Sequence, residues 1–133
     1  FEDNKAVYTL SFHGKKNYPF IKQKSNFDLA LEDGTTDTAY LKALKYELPK
    51  HMDAFEPDFI FYLAGVDVLK NDKLGRLSLS IQGCKERDRF VLDLCKRNNI
   101  PLQISMGGGY SIYLKEIIDA HSNTFELAQE LYF

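Results

Sequence analysis

Asp58-Phe59-Ile60-Phe61-Tyr62-Leu63-Ala64-Gly65-Val66-Asp67 is the stretch that decides the fold. Pro57 punctuates the chain before it, and Asp58–Ala64 is then an almost uninterrupted apolar run of strand length. A strand without polar alternation is the pattern of one covered on both faces, so it belongs at the centre of a sheet flanked by helices. The pair Ala64-Gly65 loosens the backbone where the run ends, and Asp67 follows as the first charged residue.

Two further extended runs accompany it. Ala6-Val7-Tyr8-Thr9-Leu10-Ser11-Phe12 is rich in β-branched and aromatic residues and closes on His13-Gly14. Pro101 restarts the chain before Leu102-Gln103-Ile104-Ser105-Met106, which ends at Gly107-Gly108-Gly109-Tyr110. Between the first run and the first helix, residues 14–36 form an irregular excursion with a short strand at Phe27–Leu31 and a turn at Asp33-Gly34; so long a connection points to a functional loop. Asp37 reads as the N-cap of a helix whose apolar positions Tyr40, Leu41, Leu44, Leu48, Met52 and Phe55 recur at helical steps, with Pro49 expected to kink or split it. Ser80 opens a second helix. There Cys84, Phe90, Val91, Leu94 and Cys95 share a face, and Lys85, Glu86, Asp88, Arg89, Lys96 and Arg97 fall mostly opposite. A last helix spans about 111–131. Strand alternating with helix predicts an α/β fold in which strands 6–12, 58–64 and 101–106 run parallel in one sheet with helices on both faces, a three-layer α/β/α arrangement.

The 133 residues make one domain's worth of chain, 44% hydrophobic and 27% charged. Seventeen Lys plus Arg against nineteen Asp plus Glu leave a formal charge of -2 with no long run of either sign, so neither a direct nucleic-acid surface nor a membrane surface is expected. Cys84 and Cys95 are eleven residues apart on one helix, about 16 Å along its axis, and cannot bridge. No apolar run approaches about 18 residues, and Phe1-Glu2-Asp3-Asn4-Lys5 does not read as a signal peptide. A reducing, cytoplasmic setting is the expectation.

In parallel sheets ligands collect beyond the carboxyl ends of the strands, which here are His13-Gly14, Gly65-Val66-Asp67 and Gly107–Tyr110. Asp67 reads as a hard metal ligand, a phospho-acceptor, a base or a turn-capping aspartate. Tyr110, behind three glycines that permit close backbone approach, reads as a phenol placed where an oxyanion forms, or as an aromatic opening the last helix. The glycines lack the spacing and the Lys-Ser/Thr of a phosphate-binding loop. His13, at a strand end, reads as a ligand or base or, as is commoner for a lone histidine, a hydrogen-bonded structural residue; His51 and His121 are read as solvated, and the two cysteines as core. A lone Asp67 is an incomplete zinc site, since catalytic zinc takes three protein ligands plus water.

Pro57–Asp67, followed by Asn71-Asp72-Lys73-Leu74-Gly75-Arg76-Leu77-Ser78-Leu79-Ser80, resembles the zinc-dependent histone deacetylase superfamily. Val7–Gly14 resembles that family's strand after its histidine-rich motif; Leu31-Glu32-Asp33-Gly34-Thr35 with Tyr40-Leu41 its segment before the long helix; and Gly107–Tyr110 its tyrosine loop. The Asn-Asp-Lys-Leu-Gly-Arg-Leu variant is most similar to the bacterial and class IV type. The resemblance implies an arginase/deacetylase-like fold. It also implies that Asp67 is one of three zinc ligands, Tyr110 the donor to the acyl oxygen, Tyr18, Leu74 and Gly108 the lining of an acyl-lysine tunnel, and the Ser11 and Phe12 carbonyls ligands of a structural K⁺. The substrate it implies is an acylated lysine or a related acylated amine.

The family's other two zinc ligands, and its paired general-base histidines, belong upstream of Phe1. The whole chain, residues 1–133, therefore reads as the C-terminal portion of a single deacetylase domain. Its partner is the missing N-terminal part of the same domain, and the chain alone is expected to be inactive. Two alternatives stand beside this reading. One is a non-catalytic remnant that binds a partner, or a second copy as a dimer, through the exposed sheet edge. The other is a receiver-like domain with Asp67 as phospho-acceptor, although His13-Gly14 and Gly107–Tyr110 occupy the places where a receiver carries acidic residues and a lysine.

Overall fold

The computed structural model describes residue 1 and residues 3–133. In chain order the elements are β1 (Leu10–Gly14), β2 (Phe27–Leu31), α1 (Asp37–Phe55), β3 (Ile60–Gly65), α2 (Ile81–Arg97), β4 (Leu102–Gly107) and α3 (Leu114–Tyr132). The alternation predicted from the sequence is present, and every strand pair is parallel. Strand β1 starts later than expected because the backbone ahead of it is engaged elsewhere: Val7 N donates to Asn4 O, and Thr9 N donates to Asn26 Oδ1.

The strands do not form one continuous sheet. Among the described residues β1 pairs with β2, from Leu10↔Phe27 to Gly14↔Leu31, and β3 pairs with β4, from Ile60↔Leu102 to Gly65↔Gly107. Side chains rather than a backbone ladder join the two pairs. Phe12 and Leu31 pack against the same core as Ile60, Tyr62 and Leu102, built on Tyr40, Leu44, Val66, Leu79, Cys84, Val91 and Cys95. Nor is β3 covered on both faces. Ile60, Tyr62 and Ala64 turn inward toward that core, while Phe61 and Leu63 are 80% and 72% exposed. The apolar run is thus a strand with one open face.

Helix α1 passes through Pro49 without splitting. Proline removes one amide donor, but Leu44, Leu48 and Met52 grip the core on both sides of it. Its N-cap is Thr36 rather than Asp37. The Asp37 carboxylate instead accepts from Ser80 N at 2.8 Å and Ser80 Oγ at 2.6 Å, while Ser80 Oγ accepts from Gly83 N at 2.9 Å. One acidic side chain thereby ties the first turn of α1 to the N-cap of α2. A Cβ at Gly83 would overlap that carboxylate, so glycine is required for the close approach.

Cys84 and Cys95 are free and fully buried, as the helical face predicted, and burial pushes both thiols up to about 11. Asp88 is not opposite them. It is completely buried beside Arg87, itself 4% exposed. Arg87 Nε donates to Asp88 Oδ1 at 2.8 Å, Tyr62 OH donates to the same oxygen at 2.5 Å, and Thr124 Oγ1 donates to Asp88 Oδ2 at 2.7 Å. Arg87 Nη1 donates to the Gly65 carbonyl at 2.6 Å. Burial above all pushes the Tyr62 phenol well above its ordinary value, so it stays protonated and donates. Replacing Asp88 with Ala strands the Arg87 guanidinium in the core, and breaking a buried pair costs about 3–5 kcal/mol. Urea denaturation should show a loss of that order for Asp88→Ala; a loss below about 1 kcal/mol would mean that the pair does not organise the core.

Candidate functional site

Parallel pairing with Gly65 opposite Gly107 brings the ends of β3 and β4 to one edge, and the ladder extends one step further through Val66 N donating to Gly107 O at 2.9 Å. The chain then delivers Asp67 and the Gly108–Tyr110 loop side by side. A Cβ at Gly108 would lie 2.8 Å from both Cβ and Cγ of Asp67, and its φ of +63° is one that a residue with a side chain rarely adopts. Gly109 has φ +107° and abuts Val66 and Ile117. The glycines therefore serve two needs, a left-handed turn and contact with the aspartate.

Asp67 is half-buried. Burial raises its pKa, the nearby Asp72 carboxylate adds to the rise, and its own backbone hydrogen bond and Arg87 oppose it. A Cβ at Gly75 would overlap the Asp67 carbonyl oxygen, so the loop after Asp67 folds back flush against it. Asp72 closes that loop by accepting from Leu74 N at 2.9 Å and Gly75 N at 2.7 Å. Arg76 next reaches Asp33 at 3.5 Å, and its Cβ borders Gly14 at the end of β1, so the first strand pair abuts the same region.

The remaining residues singled out from the sequence take up various positions. Tyr110 is 52% exposed beside the Asp67 loop, and Leu74, at the tip of that loop, is 62% exposed. Tyr18 is 84% exposed on the β1–β2 connection, whose backbone is gathered by Lys22: its Nζ donates to the carbonyls of Asn17 at 2.7 Å, Pro19 at 3.0 Å and Lys15 at 3.3 Å. The Tyr18–Pro19 peptide is cis. Ser11 and Phe12 lie within β1, opposite Asp28 and Leu29. His13 is held by Ser11 Oγ at 2.9 Å from Nδ1, and burial lowers its pKa, with Asp28 opposing and Lys22 reinforcing. The expectation that His51 and His121 are solvated does not hold for His51, and holds only in part for half-buried His121. His51 pairs with Tyr8 OH at 2.7 Å and packs on Phe27 at 4.2 Å between ring centroids, and the Nδ1 of His121 is buried.

Sequence reasoning missed Arg87, which grips the carbonyl two residues before Asp67, and Asp72, which reaches across to the tyrosine loop. Arg87 and Asp88 had a detectable signal. With Cys84, Val91, Leu92 and Cys95 they fall at steps of three and four along α2, on the stripe that faces the core.

Among the described residues there is no group of three or more His, Cys, Asp or Glu that could hold a metal ion. The donor set at this edge is a single carboxylate, which does not make a catalytic zinc site on its own. No described helix is long and apolar enough to cross a membrane.

Comparison with known proteins places this architecture. The chain is 36% identical over 132 residues to an "uncharacterized protein" of Picosynechococcus sp., covering 99% of this chain and 44% of that one. It is also 36% identical over 111 residues to Histone deacetylase 2 of Arabidopsis thaliana, covering 81% of this chain and 29% of that one. Among solved structures, an acetylpolyamine aminohydrolase from Burkholderia pseudomallei superposes with a TM-score of 0.78 at 17% identity, over 96% of this chain and 39% of that one. The HDA15 HD domain superposes with a TM-score of 0.73 at 24% identity, over 97% and 40%. The chain thus spans less than half the length of these relatives. The histone deacetylase domain profile matches residues 1–125, and the chain belongs to that family.

Proposed function

We propose that residues 1–133 are the C-terminal portion of a single zinc-dependent deacetylase domain whose complete form hydrolyses the amide of an acylated lysine or a related acylated amine. The observation that carries this reading is the packing of Gly108 against Asp67, which sets a carboxylate and the Tyr110 loop together at the end of two parallel strands. The likeness to Histone deacetylase 2 supports the acyl-lysine class.

In this reading Asp67 is one zinc ligand, and the rest of the domain supplies the others. When bound, zinc polarises the amide carbonyl and lowers the pKa of its water. Tyr110 donates a hydrogen bond to the acyl oxygen as negative charge develops there, a donor whose value rises as water is excluded. Tyr18, Leu74 and Gly108 line the path of the acyl-lysine chain, and the Ser11 and Phe12 carbonyls contribute to a K⁺ site that steadies β1. The open face of β3, with Phe61 and Leu63 exposed, is covered by the N-terminal part of the domain. The setting proposed for it is a reducing cytoplasm.

The 133-residue chain alone should show no chelator-sensitive hydrolysis of an acetyl-lysine peptide, because one carboxylate does not hold catalytic zinc; turnover by the isolated chain would refute that part of the reading. In the complete protein the two strand-end residues should separate by readout. Asp67→Asn should lose zinc as well as rate, since a neutral amide replaces an anionic ligand. Tyr110→Phe should keep zinc near stoichiometric while turnover falls about 10²–10³-fold, the usual loss on removing an oxyanion donor. Metal analysis with steady-state kinetics checks both, and a Tyr110→Phe rate within about twofold of wild type would remove the phenol from the mechanism.

A further inference from the structure

The backbone before Tyr110 has little intrinsic preference for one path, since Gly108 and Gly109 both adopt positive φ. Its side chain is half exposed. What locates the phenol is therefore the anchoring of the Tyr110 backbone, and that anchoring comes from the loop that follows Asp67.

Asp72 divides its carboxylate between the two loops. Oδ1 accepts from Leu74 N and Gly75 N and closes its own turn, while Oδ2 accepts from Tyr110 N at 2.6 Å. Lys73 N donates to the Tyr110 carbonyl at 3.3 Å, so the backbone N–H and C=O of Tyr110 are held by consecutive residues of one loop. A second contact backs the first: Asn71 Nδ2 donates to Glu116 Oε1 at 2.8 Å, and Ser111 Oγ donates to the other oxygen of the same carboxylate at 3.0 Å. The turn that Asp72 closes is also the one in which Gly75 rests against the Asp67 carbonyl. A single side chain thus connects the backbone of the aspartate to the backbone of the tyrosine.

The geometry points to Asp72 as a positioning residue that fixes Tyr110 relative to Asp67 through the Tyr110 amide. Three backbone N–H donors occupy most of its acceptor capacity, two on Oδ1 and one on Oδ2, so its bonding is committed chiefly to the two loops. Its negative charge beside Asp67 is unfavourable for a second carboxylate, and hydrogen bonds from backbone N–H groups to an ionised acceptor are the stronger kind that offset such a cost. This role rests on the reading of Tyr110 as the donor to the acyl oxygen.

The test uses the zinc-loaded complete protein, with Asp72→Ala, Asp72→Asn, Tyr110→Phe and the double variant Asp72→Ala/Tyr110→Phe. Asparagine keeps the shape but only one acceptor oxygen, so it satisfies either its own turn or the Tyr110 amide. Misplacement by about 1 Å costs up to about 10²-fold in rate. Both Asp72 variants should therefore lower kcat on an acetyl-lysine peptide by about 10- to 100-fold, with KM within about threefold and zinc near stoichiometric. The double variant should be no slower than Tyr110→Phe alone, because the anchor acts only through the phenol. Hydrogen exchange at the Tyr110 amide should quicken by about tenfold or more in Asp72→Ala. Unchanged Tyr110 amide exchange, or rate losses that multiply in the double variant, would overturn the proposal. Full activity in Tyr110→Phe would instead refute the catalytic reading of Tyr110, while amide exchange would still decide whether Asp72 holds the loop.

Discussion

The buried pair Arg87–Asp88 is the constraint on which the arrangement depends. Two opposite charges in a core are tolerated only when their remaining hydrogen-bonding capacity is met. Here Asp88 is met by Tyr62 from β3 and Thr124 from α3, and Arg87 by the Gly65 carbonyl through Nη1, while its Nη2 faces Asp88 at 2.8 Å as an ion pair without a hydrogen bond of its own. Three contacts tie one turn of α2 to two other elements, so neither β3 nor α3 can slide along α2 without leaving a charge less well satisfied. Because Arg87 grips the last residue of β3, the same pair that registers the core also fixes the backbone from which Asp67 departs.

Beyond the strand ends the structure is held by contacts of another kind. Val66 extends the ladder to Gly107, Gly108 rests on the side chain of Asp67, and Gly75 rests on its carbonyl. These approaches require glycine because the atoms on the other side are backbone or a short, half-buried side chain that cannot move away. Close packing leaves the two loops little freedom of their own, and the Asp72 carboxylate supplies directional bonds where packing alone has no direction.

Much of this was legible in the sequence. The apolar run ending at Asp67, the glycines before Tyr110 and the Ser80 cap are local signals, and they produce local structure: a strand, a turn and a helix start. What escaped depends on pairing at a distance. The composition of Asp58–Ala64 cannot show whether both faces are covered, because Phe61 and Leu63 are as apolar as Ile60 and Tyr62. By sequence Asp37 reads as the cap of its own helix, but its oxygens are taken by Ser80, the N-cap of another helix. The charge of Asp88 argues for the solvent side, whereas its spacing from Cys84, Val91 and Cys95 puts it on the buried stripe. Charge and periodicity disagreed there, and periodicity was the better guide because Tyr62, Thr124 and Arg87 converge on the carboxylate.

The open face of β3 links stability to chemistry. Burying a side chain the size of Phe or Leu contributes about 1.5–3 kcal/mol, so covering Phe61 and Leu63 is worth a sizeable share of the few kcal/mol that separate a folded domain from an unfolded one. The same strand carries Gly65 at its end, held by Arg87, with Asp67 two residues beyond. Whatever covers Phe61 and Leu63 therefore also stiffens the strand that presents the aspartate. In the proposed reading the N-terminal part of the domain acts twice, supplying the remaining zinc ligands and covering the strand from which this chain's own ligand departs. Stability and metal affinity should then rise together when the domain is complete, the first from burying one face of β3 and the second from the added ligands.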